Sequence, residues 1–174
     1  MDFKKYIASI PDFPQPGVLF RDITPLMSDG EAFHAATSEI QKFAEQVGAE
    51  VIAGPESRGF IFGCPVAANL HIGFVPVRKP GKLPRTVLRE SYALEYGTDV
   101  LEIHADALTS DDVVLIVDDL VATGGTTTAM VRLVRASGAR LVGFGFVVEL
   151  AFLDPRAVIA AETDAEVFSL VAVD

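Results

Sequence analysis

The first half of the chain alternates between helical and strand-like patterns of apolar residues. The apolar positions at helical spacing are Phe33, Ala36, Ile40, Phe43, Ala44 and Val47. Their spacing predicts an amphipathic helix that begins after Gly30 and ends at Gly48. The apolar runs that follow predict a short strand over 51–53, a largely buried helix over 59–70 and a second strand over 74–77.

The second half of the chain repeats this order. Residues 113–117 form a continuous apolar run, typical of a central parallel strand that is covered on both faces. A helix is predicted over about 126–136, ended by Gly138, and a further strand over 141–148. Because strands and helices alternate, we predict an α/β fold with a parallel-sheet core and helices on both faces.

Two stretches do not fit this alternation. Residues 1–30 hold several helix and strand breakers: Pro11, Pro14, Pro16, Gly17 and Pro25. Residues 79 to about 99 are unusually long for a connection in a compact domain, which indicates a functional or disordered segment. We interpret this second stretch as a lid. No repeat or linker divides the chain, so one domain over 1–174 is expected.

Composition narrows the function classes. The 174 residues are 50% hydrophobic with a mean hydropathy of +0.37, which suits one folded domain and excludes a disordered chain. A net charge of −10 argues against a nucleic-acid-binding or anionic-membrane surface. The first residues lack the apolar core of a signal peptide, and no apolar run reaches the ~18 residues of a membrane span. A cytoplasmic location is therefore expected.

The cysteine and histidine residues give no sign of chemistry. Cys64 is the single cysteine, so an intrachain disulfide is impossible, and its apolar neighbours favour a small buried side chain over a nucleophile. His34, His71 and His104 are too scattered to predict a metal site.

Two adjacent carboxylates follow the predicted central strand. Asp118 and Asp119, the acid pair, come at its carboxyl end, where open α/β sheets bind their ligands. Residues 122–126, the glycine loop, can aim several backbone N–H groups at one anion beside a helix N-terminus. The loop has no lysine of the P-loop type, which argues against a nucleoside triphosphate held in that way. The alternative is an ordinary helix-capping turn.

The run Val117-Asp118-Asp119-Leu120-Val121-Ala122-Thr123-Gly124-Gly125-Thr126 resembles the phosphoribosyl pyrophosphate (PRPP) signature of the type I phosphoribosyltransferases. The resemblance implies that the acid pair holds the ribose hydroxyls. It also implies that the 5′-phosphate binds the backbone of Ala122, Thr123, Gly124, Gly125 and Thr126. The implied architecture is the type I phosphoribosyltransferase fold with a small N-terminal hood over about 1–30 and a mobile lid over about 79–99.

Four further segments, in order, resemble the adenine-specific members of this family. They are Phe20-Arg21-Asp22-Ile23-Thr24-Pro25, Ser57-Arg58-Gly59-Phe60, Arg78-Lys79-Pro80-Gly81-Lys82-Leu83-Pro84 and Leu94-Glu95-Tyr96-Gly97. Glu56 stands where many members carry Asp, which keeps the charge. The resemblance implies a cis peptide between Glu56 and Ser57.

The same resemblance assigns roles along the chain. The residues implied to bind pyrophosphate are Ser57, Arg58, Arg78, Lys79 and Lys82. Phe20 would stack on the base while backbone groups of Leu19 and Arg21 read its edge, and Glu95 and Tyr96 would act in catalysis. The alternatives are a solvated arginine at position 58, hood packing for Phe20 and a solvated loop at 95–96.

The implied reaction belongs to purine salvage: 5-phosphoribose passes from PRPP to adenine, giving AMP and pyrophosphate. The Mg²⁺ would be carried by PRPP, without a direct protein ligand. A homodimer is also implied. The 6-oxopurine enzymes share a late lysine, and no lysine follows Lys82 here. Transfer to another purine, a PRPP-sensing transcription regulator and a noncatalytic role stay as alternatives, although the regulator should carry a basic DNA-binding segment.

Overall fold

The computed structural model describes residues 1–93 and 98–174. In chain order the elements are a 3₁₀ turn (Phe3–Tyr6), β1 (Ala8–Pro11), β2 (Leu19–Asp22), α1 (Thr24–Ser28), α2 (Gly30–Gln46), β3 (Val51–Pro55), α3 (Arg58–Leu70), β4 (Gly73–Val77), β5 (Val87–Ala93), β6 (Thr98–His104), β7 (Val113–Val121), α4 (Gly125–Ser137), β8 (Arg140–Leu150), a 3₁₀ turn (Ala151–Leu153), α5 (Pro155–Ala160) and β9 (Glu166–Val173).

The core is a five-stranded parallel sheet with the strand order β4-β3-β7-β8-β9. Side chains of β7 alternate between two apolar clusters. Leu115 and Val117 pack with buried side chains of α2 and α3, whereas Val114 and Ile116 pack with those of α4 and α5. Helices therefore cover both faces of the sheet, which confirms the predicted fold class.

The helix boundaries follow local sequence signals. The Asp29 side chain accepts the backbone N–H of Ala32 at 3.0 Å and caps the first turn of α2. Beyond the other end of this helix, Gly48 has a φ of +68°. Gly138 ends α4 with a φ of +86°, a left-handed conformation that favours glycine. Both helices were predicted within a few residues.

The segments outside the sheet contain more structure than the sequence predicts. In the N-terminal stretch β1 and β2 form a short antiparallel hairpin, beside a five-residue α1. The stretch interpreted as a lid contains β5, which pairs with β6 from Val87 opposite His104 to Ala93 opposite Thr98. The edge strand β9 was also missed.

The prediction of a buried Cys64 is wrong. Cys64 is exposed, on the same side of α3 as Ile61, while Phe62 and Val66 are fully buried on the other side. This helix is apolar on both sides, so its sequence does not reveal which side faces the sheet. Over residues 1–93 and 98–174, no helix is long and apolar enough to cross a membrane.

Candidate active site

The carboxyl ends of β3 and β7 open onto one cleft of about 270 Å³. Residues 55–58 and 118–127 form most of its wall, and Lys79, Tyr92 and Leu101 complete it. Because β3 and β7 are neighbours in the parallel sheet, the segments that follow them meet at one edge. The cleft therefore contains the acid pair, the glycine loop and the predicted Ser57 and Arg58.

The acid pair lies in the last part of β7. Asp119 is buried, and its Oδ2 lies 3.0 Å from Nε of Arg58, although the geometry is not that of a hydrogen bond. Within the described residues this oxygen has no hydrogen-bond partner. Burial and the neighbouring Asp119 carboxylate raise the pKa of Asp118 well above its ordinary value. Among the described residues, the pair thus contains one buried oxygen, Oδ2 of Asp119, that accepts no hydrogen bond from the protein.

Gly59 allows the first turn of α3 to approach the acid pair. A Cβ at this position would lie 2.6 Å from Cδ of Pro55 and 3.1 Å from Oδ1 of Asp118. A larger residue would push α3, and with it Arg58, away from the carboxylates.

The glycine loop leads directly into α4. Gly124 has a φ of +82°, and the helix begins at Gly125. Across the part of the chain that the structure describes, no protein acceptor takes the backbone N–H groups of residues 122–126. Unpaired N–H groups at a helix N-terminus favour an anion. The loop can therefore hold a phosphate, and the reading as a capping turn alone leaves its open donors unexplained.

The segment after β3 contains the cis peptide between Glu56 and Ser57, as predicted. Glu56 accepts Nε of Arg78 at 2.6 Å and the backbone N–H of Lys79 at 3.2 Å. Burial opposes ionisation, but these hydrogen bonds outweigh it and lower the pKa of Glu56. Glu56 thereby fixes the start of the basic segment 78–82.

Lys79 is the member of that basic segment that lines the cleft. Its Nζ donates to a carboxylate oxygen of Asp99 and lies 3.2 Å from the hydroxyl of Tyr92. Tyr92 and Asp99 are opposite each other in the β5–β6 hairpin. The hairpin therefore holds the lysine at the mouth of the cleft.

A second, apolar pocket of about 380 Å³ adjoins the cleft. Its lining is Ile10, Phe13, Phe20, Asp22, Ile23, Thr24, Met27 and Arg58. The rings of Phe13 and Phe20 meet edge to face at 5.2 Å, and Cζ of Arg58 lies 5.9 Å from the centre of the Phe20 ring. Arg58 belongs to both cavities, so a ligand in one is next to a ligand in the other.

Comparison with known proteins agrees with this geometry. The family model of the phosphoribosyl transferase domain matches residues 30–162. An adenine phosphoribosyltransferase of Desulfitobacterium hafniense is 52% identical over 171 residues, which are 98% of this chain and 97% of the relative. The chain belongs to the phosphoribosyltransferase family.

Two solved structures of adenine phosphoribosyltransferases align over nearly the whole chain. That from Thermoanaerobacter pseudethanolicus has a TM-score of 0.93 at 46% identity and covers 99% of this chain and 98% of its own. The Saccharomyces cerevisiae protein, solved with an imino-altritol bisphosphate and adenine, has a TM-score of 0.90 at 38% identity, with coverage of 98% and 97%. The sheet and helices thus adopt the type I phosphoribosyltransferase fold.

The structure brings together part of the predicted site of this phosphoribosyltransferase. Among the described residues, Arg78 and Lys82 do not line the cleft, since Arg78 pairs with Glu56 and Lys82 is exposed. Leu19 and Arg21 flank Phe20 in β2 without lining the apolar pocket. Glu95 and Tyr96 lie outside the described residues, so their catalytic role stays a prediction.

The sequence did not identify Tyr92, Asp99 and Leu101 as site residues. Tyr92 and Asp99 reach Lys79 only because β5 and β6 pair in one particular register. No motif marks that register, and a long connection between two sheet strands gives little hint of an internal hairpin.

No group of three or more metal-ligating side chains occurs in the described ranges, 1–93 and 98–174. The residues present nevertheless fit a Mg²⁺ ion that arrives with a pyrophosphate substrate. Oδ2 of Asp119, which accepts no hydrogen bond from the described residues, can accept one from a metal-bound water. Mg²⁺ binds mostly through substrate phosphates and waters.

Proposed function

We propose that the chain transfers the 5-phosphoribosyl group of PRPP to adenine in purine salvage, forming AMP and pyrophosphate. The observation that carries the proposal is the meeting of three recognition elements at Arg58. The acid pair and the glycine loop share one cleft, and Arg58 joins that cleft to an aromatic pocket.

Each part of PRPP has a chemically matched surface. The ribose hydroxyls donate to the carboxylates of Asp118 and Asp119, and the 5′-phosphate accepts the open N–H groups of residues 122–126. The pyrophosphate lies toward Ser57, Arg58 and Lys79, which supply a hydroxyl and two cations. Arg78 and Lys82 contribute without lining the cleft. Arg78 holds Glu56 in place, and Lys82 attracts the anionic substrate at long range.

The reaction exchanges one bond at the sugar carbon. N9 of adenine donates an electron pair to C1 of the ribose, and the bond from C1 to the pyrophosphate oxygen breaks with its electrons leaving on pyrophosphate. The proton on N9 passes to the Glu95 carboxylate, and Tyr96 closes over the reacting atoms. When bound with PRPP, Mg²⁺ would supply positive charge to the pyrophosphate, and Asp119 would hold a metal-bound water. The reaction needs neither a covalent enzyme intermediate nor a redox partner, because every bond and proton is accounted for by the substrates and Glu95.

The apolar pocket suits a flat base. The ring of Phe20 provides a stacking surface, and Cζ of Arg58 lies 5.9 Å from the centre of that ring. The family resemblance assigns the adenine edge, which offers an amine donor and ring nitrogen acceptors, to backbone groups of Leu19 and Arg21 on either side of Phe20. Among residues 1–93 and 98–174, no lysine lines this pocket to donate to the O6 of a 6-oxopurine.

We also propose that the chain works as a homodimer in the cytoplasm. The exposed Ile61 and Cys64 on α3 give this helix an apolar outer side that a second copy would cover. The mass by light scattering would be twice that of the 18.6 kDa chain, and a monomer at working concentration would contradict the dimer.

The function is tested with purified protein, PRPP and Mg²⁺, offering adenine, hypoxanthine, guanine and xanthine separately. We expect AMP and stoichiometric pyrophosphate with adenine, and at least ~100-fold lower kcat/KM with each 6-oxopurine, because a site without the matching polar partner discriminates strongly. Faster turnover of any 6-oxopurine than of adenine would contradict the assigned base, and no turnover of any base would contradict the transferase.

A further inference from the structure

Glu149 is a buried carboxylate that the proposed reaction does not use. The residue is 3% exposed and lies in β8, where its partner in β7 is Val121. Since Val121 is followed by the glycine loop, Glu149 lies one strand away from the start of that loop.

The carboxylate ties α5 to the sheet. Arg156 of α5 donates Nε to Oε1 and Nη2 to Oε2 of Glu149, both at 2.8 Å, and Nη1 to the carbonyl of Val167 at 3.1 Å. The Ser169 hydroxyl donates to Oε2 of Glu149 at 2.5 Å. A bidentate pair of this kind fixes orientation as well as distance. Together these hydrogen bonds join α5 to both β8 and β9.

The same short helix supports the glycine loop. A Cβ at Gly124 would lie 3.0 Å from Cγ1 of Val158 and 3.8 Å from the carbonyl oxygen of Pro155. Val158 therefore packs directly against the backbone of Gly124, which has the left-handed φ of +82°. A shift of α5 would remove that support from the loop.

We propose that the Glu149–Arg156 ion pair positions the glycine loop for the 5′-phosphate by holding Val158 of α5 against Gly124. This inference rests on the proposed function. Glu149 and Arg156 act here as positioning residues, since the contact to the loop is made by Val158. Such support matters because a phosphate site works only when its donors are held within a fraction of an ångström.

The test compares the KM for PRPP with the KM for adenine. Arg156→Ala should raise the KM for PRPP about 10-fold and leave that for adenine within about twofold, because only PRPP carries the 5′-phosphate. Simple destabilisation would reduce the amount of active enzyme and lower the apparent kcat without moving either KM. Arg156→Lys, which keeps the charge without the planar fork, should fall between.

Val158→Ala tests the route through α5 independently and serves if Arg156→Ala does not fold. It should give the same pattern, and the double variant should be little worse than either single variant, since both remove one support. The matched control is Glu39→Gln, which breaks the Lys42–Glu39 pair of 2.7 Å on α2, involves neither α4 nor α5, and should leave both KM values unchanged.

Two results would overturn the inference. One is a KM for PRPP that stays within twofold of wild type in both single variants, and the other is additive effects in the double variant. A wild-type protein without transferase activity would instead contradict the proposed function itself.

Discussion

Asp118 lies beside a second carboxylate in the cleft, and burial together with the charge of Asp119 raises its pKa. An acid whose pKa is higher in the folded than in the unfolded state binds its proton more tightly when folded. Its ionisation therefore reduces stability as the pH rises above the unfolded value of about 4. The side chain that we propose to hold the sugar thus weakens the fold at neutral pH.

Asp118→Asn should separate these two effects. The amide keeps an oxygen for the backbone N–H of Asp119, now bonded at 2.8 Å, but removes the charge. We expect the kcat/KM for PRPP to fall by about 10-fold or more. We expect the Tm at pH 7 to rise by roughly 2–4 °C for each 1 kcal/mol of repulsion between Asp118 and Asp119 that the substitution removes. The Tm gain should vanish below about pH 4, as thermal scans across pH would report. Full activity of this variant would contradict the proposed role of the acid pair in binding the ribose.

Phe20 and Glu95 should affect different kinetic constants. Losing the aromatic ring in Phe20→Ala should raise the KM for adenine about 10-fold, since base–aromatic stacking contributes on the order of 1–2 kcal/mol.

Glu95→Ala should lower kcat more than it weakens PRPP binding, because proton transfer belongs to the transition state. Steady-state kinetics on variants shown to be folded by circular dichroism decide both points. An unchanged adenine KM or an unchanged kcat would contradict the respective role.

At the scale of elements, the sequence was most informative where pattern and turn chemistry agree. The order of β7, glycine loop and α4 follows from an apolar run, two acids and a glycine-rich turn. The amphipathic α2, with its Asp29 cap and Gly48 beyond its end, was equally readable. These segments carry the acid pair and the glycine loop, so the sequence could predict that both groups lie at one edge of the sheet.

The elements that were missed depend on tertiary pairing. The β5–β6 hairpin carries Arg89 and Glu102 as a cross-strand ion pair, so its sequence is more polar than that of a sheet strand. The edge strand β9 has no following helix to complete a βα pattern. Arg58 at the junction of two cavities could not be foreseen either, because it requires the N-terminal hairpin to lie over α3.

The attachment of α5 gives a prediction about stability and pH. The hydrogen bonds from Arg156 lower the pKa of Glu149 despite burial, so the pair stabilises the fold above the unfolded value of about 4.3. That contribution is lost as the pH falls through the lower folded value. Glu149→Gln should therefore reduce the free energy of unfolding by about 2 kcal/mol at pH 7, with the difference narrowing below about pH 4. Urea titrations at both pH values measure it, and a difference that grows in acid would contradict the assignment.

At the scale of the whole molecule, a protein with a net charge of −10 places two basic side chains, Arg58 and Lys79, in the cleft that is proposed to bind an anionic substrate. Arg78 and Lys82 belong to the same basic segment as Lys79 but do not line the cleft. Glu56, Asp99 and Glu102 fix this basic segment to the sheet and to the hairpin. The parallel sheet places these groups, the acid pair and the glycine loop at one edge, next to the N-terminal aromatic pocket.

The central claim is that phosphate, sugar and base occupy this one continuous site, and a crystal structure with AMP tests it most directly. We expect the phosphate on the backbone N–H groups of residues 122–126, the ribose hydroxyls on Asp118 and Asp119, and the adenine stacked on Phe20 in the apolar pocket. A phosphate bound mainly to other groups, or a base outside the apolar pocket, would contradict it.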